Sequence, residues 1–204
     1  MTKIKICGLK RAEEIAVANE LALSYIGFVF AKSKRQVTIE EARVLKAHLN
    51  TNCKAVGVFV NHNVLEMIQL VDEGIIDVIQ LHGNETEDVI MSIRQALPNV
   101  ELIKAVSVIS IEDVIKWNHS QVDYLLLDNG SGGSGMCFDW NILHQVDACR
   151  KPYFIAGGLT PDNVSQVIPF APYGVDVSGG VETKGVKDVW KMRKFVEKVR
   201  GLHE

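Results

Sequence analysis

Short apolar runs alternate along the chain with stretches in which apolar residues recur every three or four positions. The first pattern fits buried parallel strands, the second amphipathic helices. Lys3–Cys7 is predicted as a strand and Arg11–Leu23 as a helix, through Ile15, Val17, Ala18 and Leu21. Tyr25–Phe30 is apolar again, and the polar segment Lys32–Gln36 follows. Thr38-Ile-Glu-Glu41 has the capping-box pattern that opens a helix, here Ile39–Leu49. A strand at Lys54–Val60 precedes a helix at Asn63–Val71 closed by Gly74. The strand Val78–Leu81 then leads to a helix, Glu85–Leu97, stopped by Pro98. Val100–Val106 is the fifth apolar run, with a short helix at Ser110–Trp117. Tyr124–Asp128 is the sixth, with a brief helix at Trp140–Val146. Tyr153–Ala156 with Pro161–Ile168, and Gly174–Val177 with Lys187–Gly201, complete the alternation.

Strict alternation of strand and helix implies parallel strands joined by right-handed crossovers. Eight such units predict an α/β fold closed as a (β/α)8 TIM barrel, one domain over residues 1–204. The chain sits at the lower end of barrel lengths, so its connections must be short. The competing open sheet, flavodoxin-like or Rossmann, is disfavoured because no G-x-G-x-x-G follows the first strand.

Composition narrows the partners. The formal net charge of −3 and a pI near 6.1, without a basic stripe, argue against nucleic acid. The start Met-Thr-Lys-Ile-Lys is unlike a signal peptide, and no apolar run approaches a membrane span. Cys7, Cys53, Cys137 and Cys149 form no CxxC pair and no metal spacing. They read as reduced thiols of a cytoplasmic protein with no metal site.

In a barrel, ligands gather at the C-terminal ends of the strands. Cys7, Arg35, His82, Asp128, Gly157-Gly158 and Ser178-Gly179-Gly180 all fall at or just beyond such ends. The glycine pairs follow the seventh and eighth strands, where backbone N–H groups in this fold commonly hold phosphate. Asp128 ends a buried strand before a loop rich in Gly and Ser, Gly130 to Gly135, that reads as a lid. A carboxyl there suits acid–base chemistry; its alternative is a cap on a surface loop. Cys7 reads as a buried apolar residue unless Lys5 and Arg35 make its surroundings electropositive enough for a base. His82 belongs near a substrate, not as a proton carrier, or it bonds a neighbouring carbonyl. Asp176 points to a substrate hydroxyl or braces the rim, and Asp139 caps the helix at Trp140.

Several motifs recur together. They are Lys5-Ile6-Cys7-Gly8-Leu9, Gln80-Leu81-His82-Gly83, the Asp128 loop ending Phe138-Asp139-Trp140, Ala156-Gly157-Gly158-Leu159 and Gly174-Val175-Asp176-Val177-Ser178-Gly179-Gly180-Val181-Glu182. In order and spacing they resemble the phosphoribosylanthranilate isomerases of tryptophan biosynthesis, over nearly the whole chain. The resemblance implies a cofactor-free Amadori rearrangement of a small phosphosugar, N-(5-phosphoribosyl)anthranilate, by a monomer or homodimer. It implies Asp128 as general acid on the furanose ring oxygen and Cys7 as general base at the second ribose carbon. It also implies Arg35 as the holder of the anthranilate carboxylate, a task suited to a guanidinium fork. An acid that must be protonated when substrate binds is expected to have a pKa raised by partial burial.

Two departures from the family pattern stand out. Gly179 occupies a position where the family often has a second serine, which removes a hydroxyl but leaves the N–H. The loop after Asp128 is unusually rich in Gly and Ser. Two other readings of the same residues are a phosphosugar aldolase with Lys104 as Schiff-base lysine, and a non-catalytic phosphometabolite-binding protein.

Overall fold

The computed structural model describes residues 1–129 and 139–201. Eight parallel strands close into a barrel, each hydrogen-bonded to the next and the last to the first. They are β1 (Lys3–Cys7), β2 (Tyr25–Val29), β3 (Lys54–Phe59), β4 (Val78–Leu81), β5 (Glu101–Ser107), β6 (Tyr124–Asp128), β7 (Tyr153–Ile155) and β8 (Gly174–Val177). The first five crossovers carry α1 (Ala12–Glu20), α2 (Ile39–Ala47), α3 (Val64–Asp72), α4 (Glu87–Ala96) and α5 (Ile111–Ile115). The capping box at Thr38 is present: its hydroxyl accepts from the Glu41 N–H, and the Glu41 carboxylate from the Thr38 N–H. None of the described helices is long and apolar enough to cross a membrane.

The last crossovers differ from expectation. The predicted helices at Trp140–Val146 and Pro161–Ile168 are 3-10 turns, at Trp140–Ala148 and at Val164–Gln166 with Ile168–Phe170. Pro169 lacks the N–H an α-helix would use, which explains the break. The closing helix α6 runs Val189–Arg200 and starts later than predicted, because a hairpin of β9 (Glu182–Thr183) and β10 (Val186–Lys187) precedes it. Its N-cap is Asp188, whose carboxylate accepts from the N–H groups of Trp190 and Lys191.

Two apolar layers hold this arrangement. One lies between strands and helices and is continuous around the barrel. The other fills the barrel interior with Tyr25, Val56, Val58, Val78, Ile103, Leu126 and Phe154. Tyr25 meets Phe154 edge-on at 5.6 Å, and the Tyr173 hydroxyl lies within 3.2 Å of those of Tyr25 and Tyr124. These rings close the N-terminal end. Gly174 permits this, because a Cβ there would lie 2.5 Å from the Phe154 ring.

Period-two alternation places Lys5 and Cys7 of β1, Gln80 of β4, Asp128 of β6 and Asp176 of β8 on the inner face. The wide end of the barrel is therefore polar within an apolar wall.

Candidate active site

The polar inner residues meet in one cleft at the C-terminal ends of the strands. It encloses about 330 Å³ and is lined by Cys7, Arg35, Gln80, His82, Asp128, Gly157, Gly158, Asp176, Ser178, Gly179 and Gly180. The candidates expected at the strand ends therefore share one space, while Lys104 and Asp139 do not line it. The lid expected at 130–135, together with Cys137, lies outside the described residues.

Lys5 organises the floor. Its ammonium is fully buried and donates to Asp176 Oδ1 at 2.9 Å, so the pair compensates its own burial. Asp176 thus braces the rim as well as facing the cleft. The Cys7 thiol lies beside this pair. Burial pushes its pKa up, while Lys5 and then Lys187 pull it back; burial wins. The positive charge near Cys7 comes from Lys5 and Arg35, as expected, and from Lys187, and it does not give a resting thiolate.

Asp128 departs from expectation in the opposite sense. Burial raises its carboxyl pKa, but His82, the Asn129 N–H at 2.7 Å and Lys5 together hold it below the ordinary carboxylate value. The expectation of a raised pKa is corrected: hydrogen bonds and nearby positive charge outweigh desolvation here. His82 Nε2 lies 3.4 Å from Asp128 Oδ2, and Gln80 Nε2 lies 2.8 Å from His82 Nδ1.

The glycine loops flank the carboxylate. Gly157 and Gly158 have φ of +74° and +70°, open to glycine at little cost. A Cβ on Gly157 would also strike Asp128 Oδ1 at 2.6 Å. Gly179 and Gly180 open a 3-10 turn, Gly179–Val181, whose first N–H groups have no partner within the turn. The Ser178 hydroxyl donates to the Cys7 carbonyl at 2.9 Å, tying the eighth strand end to the first. A Cβ at Gly180 would fall 1.8 Å from the Leu159 carbonyl oxygen, so the two loops interlock through backbone. Gly180→Ala is expected to destabilise by about 1–3 kcal/mol through forced separation of these loops. A lowered urea midpoint with weaker inorganic phosphate binding is the readout.

Arg35 crosses from the second loop over Gly8, where a Cβ would meet its Cδ at 2.5 Å. Its Nε and Nη2 donate to the two oxygens of Glu182, at 2.6 and 2.8 Å. Lys187 donates to the same carboxylate at 2.7 Å and to the Ser178 carbonyl at 3.0 Å. These two cations hold Glu182 at a pKa of about 2. Because that value is depressed, the stability it contributes is present above the ordinary glutamate range and is lost as pH falls toward 2. Wild type is expected to lose more of its thermal midpoint between pH 5 and pH 2 than Glu182→Gln, as followed by circular dichroism.

Glu182, Lys187 and Gln80 were not assigned from sequence, although Gln80 and Glu182 lie inside the motifs quoted. Glu182 meets Arg35 from far along the chain, whereas Gln80 and Lys187 bond near neighbours, His82 and Glu182, without a local pattern that marks them as site residues. Lys104, the Schiff-base candidate, is 2% exposed and donates to Glu85 Oε2 at 3.0 Å and to the Gly83 carbonyl at 2.6 Å. An ammonium held this way is a poor nucleophile, so the aldolase reading loses its lysine. Asp139 caps its turn as expected, accepting from the Asn141 N–H at 3.0 Å.

The family model for N-(5'-phosphoribosyl)anthranilate (PRA) isomerase matches residues 4–198. The chain belongs to this family. The N-(5'-phosphoribosyl)anthranilate isomerase of Streptococcus mutans is 45% identical over 98% of this chain and all of its own length. The crystal structure of the phosphoribosyl anthranilate isomerase from Thermus thermophilus superposes with a TM-score of 0.90 at 30% identity, covering 98% of this chain and 100% of that one. Another isomerase, solved with reduced 1-(o-carboxyphenylamino)-1-deoxyribulose 5-phosphate, superposes with a TM-score of 0.85 at 32% identity, with the same coverage. Of the motifs quoted from the sequence, Cys7, His82, Asp128, Gly157-Gly158 and Ser178-Gly179-Gly180 thus lie on a matching barrel, at its C-terminal rim.

Proposed function

We propose that the chain converts N-(5-phosphoribosyl)anthranilate to 1-(2-carboxyphenylamino)-1-deoxyribulose 5-phosphate in tryptophan biosynthesis. The observation that carries this reading is the meeting of Cys7 and Asp128 in one cleft with the two glycine loops, in a chain of the isomerase family. The phosphate would sit against the N–H groups of Gly157, Gly158, Gly179 and Gly180, with Ser178 fixing that loop. The missing hydroxyl at Gly179 costs little under this reading, because the backbone supplies the donors.

Asp128 would give a proton to the ring oxygen, so that the ring opens to an iminium. Cys7 would then take the proton from the second ribose carbon, which the iminium acidifies, giving an enolamine that tautomerises to the ketone. Asp176 and His82 face the cleft where the ribose hydroxyls would lie. Arg35, oriented by Glu182, keeps the rest of its guanidinium fork for the anthranilate carboxylate. The chemistry needs only a proton donor, a proton acceptor and an anion clamp.

The test is direct. Purified protein mixed with freshly prepared N-(5-phosphoribosyl)anthranilate is expected to abolish its fluorescence and yield the aminoketose by mass and chromatography. Unchanged fluorescence decay relative to buffer would reject the reading.

A further inference from the structure

We propose that His82 supplies the proton that Asp128 delivers, with Gln80 holding the imidazole in both of its charge states. This rests on the reading of Asp128 as general acid and adds a positioning and proton-supplying residue to it. The need for such a residue is geometric as well as electrostatic. Asp128 accepts an N–H from Asn129 and faces the imidazole, so its surroundings favour the carboxylate over the acid that ring opening requires. His82 Nε2 faces Asp128 Oδ2 across 3.4 Å.

Gln80 explains how the ring is held. It is 1% exposed, and its Nε2 lies 2.8 Å from His82 Nδ1. An amide nitrogen only donates, so in this arrangement Nδ1 accepts and the ring proton is on Nε2, toward Asp128. The Gln80 Oε1 is buried and has no partner among the described residues. A half-turn of the amide brings that oxygen to Nδ1, where it accepts the second proton of an imidazolium. An otherwise orphaned atom thereby acquires a role. The remaining charges near His82 are largely neutralised in pairs: Lys104 with Glu85, Lys5 with Asp176, and Arg35 with Glu182. Lys116 and the Cys7 thiol share the two clefts that meet at His82.

The step balances. The Nε2–H bond of the imidazolium breaks as an O–H bond forms on Asp128. That proton passes to the ring oxygen as the C1–O bond breaks, its electron pair going to oxygen. The substrate nitrogen lone pair closes the iminium, and Asp128 returns to carboxylate. His82 is left neutral and regains a proton from water, which its 28% exposed side chain can reach. The 3.4 Å separation is long for a hydrogen bond and is of the kind that tightens when substrate binds.

The test is the pH profile of kcat/KM. In wild type, the imidazole is a second source of the proton that Asp128 delivers, so the rate climbs on the acid side as the Cys7 thiolate grows. In His82→Asn, Asp128 loses its proton over the same range, which cancels the climb. The variant is expected to show a flat profile and a loss at pH 7 of roughly 10²-fold, smaller at acid pH. Its affinity for inorganic phosphate, which the glycine loops would hold, stays at the wild-type value. A profile with the wild-type slope, whether unshifted or lowered by one factor at every pH, would overturn the proposal. Should His82→Asn fail to fold, Gln80→Leu decides: a weakened climb supports the proposal and an unchanged one overturns it. Asp128→Asn, run in parallel, separates the two levels. Retained activity there defeats the general-acid reading itself, whereas the slope in His82→Asn bears on the proton supply alone.

Discussion

Asp128→Asn is expected to lower kcat by about 10³-fold while leaving the reduced product analogue bound as tightly as before. The amide keeps the size of the carboxyl and its carbonyl oxygen still accepts from the Asn129 N–H, so the β6 end and the adjacent Gly157 have no reason to move. What disappears is a group that can carry a proton to the sugar ring oxygen. The expected signature is a fall in kcat with little change in ligand affinity, which is how loss of an interaction made only in the transition state reads. Single-turnover kinetics with fluorescence detection measures it. A variant within a few-fold of wild type would remove Asp128 from the mechanism.

Cys7→Ser is expected to be as damaging, about 10³-fold in kcat, because a hydroxyl gives up its proton far less readily than a thiol and so offers almost no deprotonated base in neutral water. Here the pKa direction also predicts the shape of the profile. Burial holds the Cys7 thiol above its ordinary value despite Lys5 and Lys187. Below that pKa each unit of pH multiplies the thiolate fraction tenfold, so wild-type kcat/KM rises with pH on the acid side. The residual rate of Cys7→Ser lacks that thiol-linked rise. The resting molecule thus stores its proton on the thiol side of the cleft and its charge on the carboxyl side. Under the proposed mechanism the active form is a minority state, populated when one proton leaves Cys7 and another is on the Asp128 side.

Much of this was legible in the chain alone. The eight apolar runs mark the eight barrel strands because a parallel strand buried on both faces has to be apolar along its length. The polar exceptions at their ends, Cys7, Gln80-Leu81-His82 and Asp128, are where the inner wall opens. The last two crossovers were misjudged because helical spacing over Pro161–Ile168 says nothing of whether the backbone completes an α-turn, and it instead forms 3-10 turns around Pro169. The charge network was the least readable. Arg35 and Glu182 are joined across 147 positions of the chain, and Lys5 reaches Asp176 across 171. Sequence spacing carries no information about pairs formed by barrel closure. For the same reason the depressed carboxyl of Asp128 was foreseen with the wrong sign: its burial could be inferred from β6, but the imidazole facing it from β4 could not be weighed.

The most direct test of the central claim is a crystal structure of this chain with the reduced product analogue bound. The account predicts the phosphate against the Gly157-Gly158 and Gly179-Gly180 turns and the carboxylate at Arg35. It places the Cys7 sulfur within about 4 Å of the second ribose carbon and an Asp128 oxygen within about 3 Å of the former ring oxygen. A ligand bound in the reverse sense, with phosphate at Arg35 and the ribose carbons out of reach of Cys7, would contradict it.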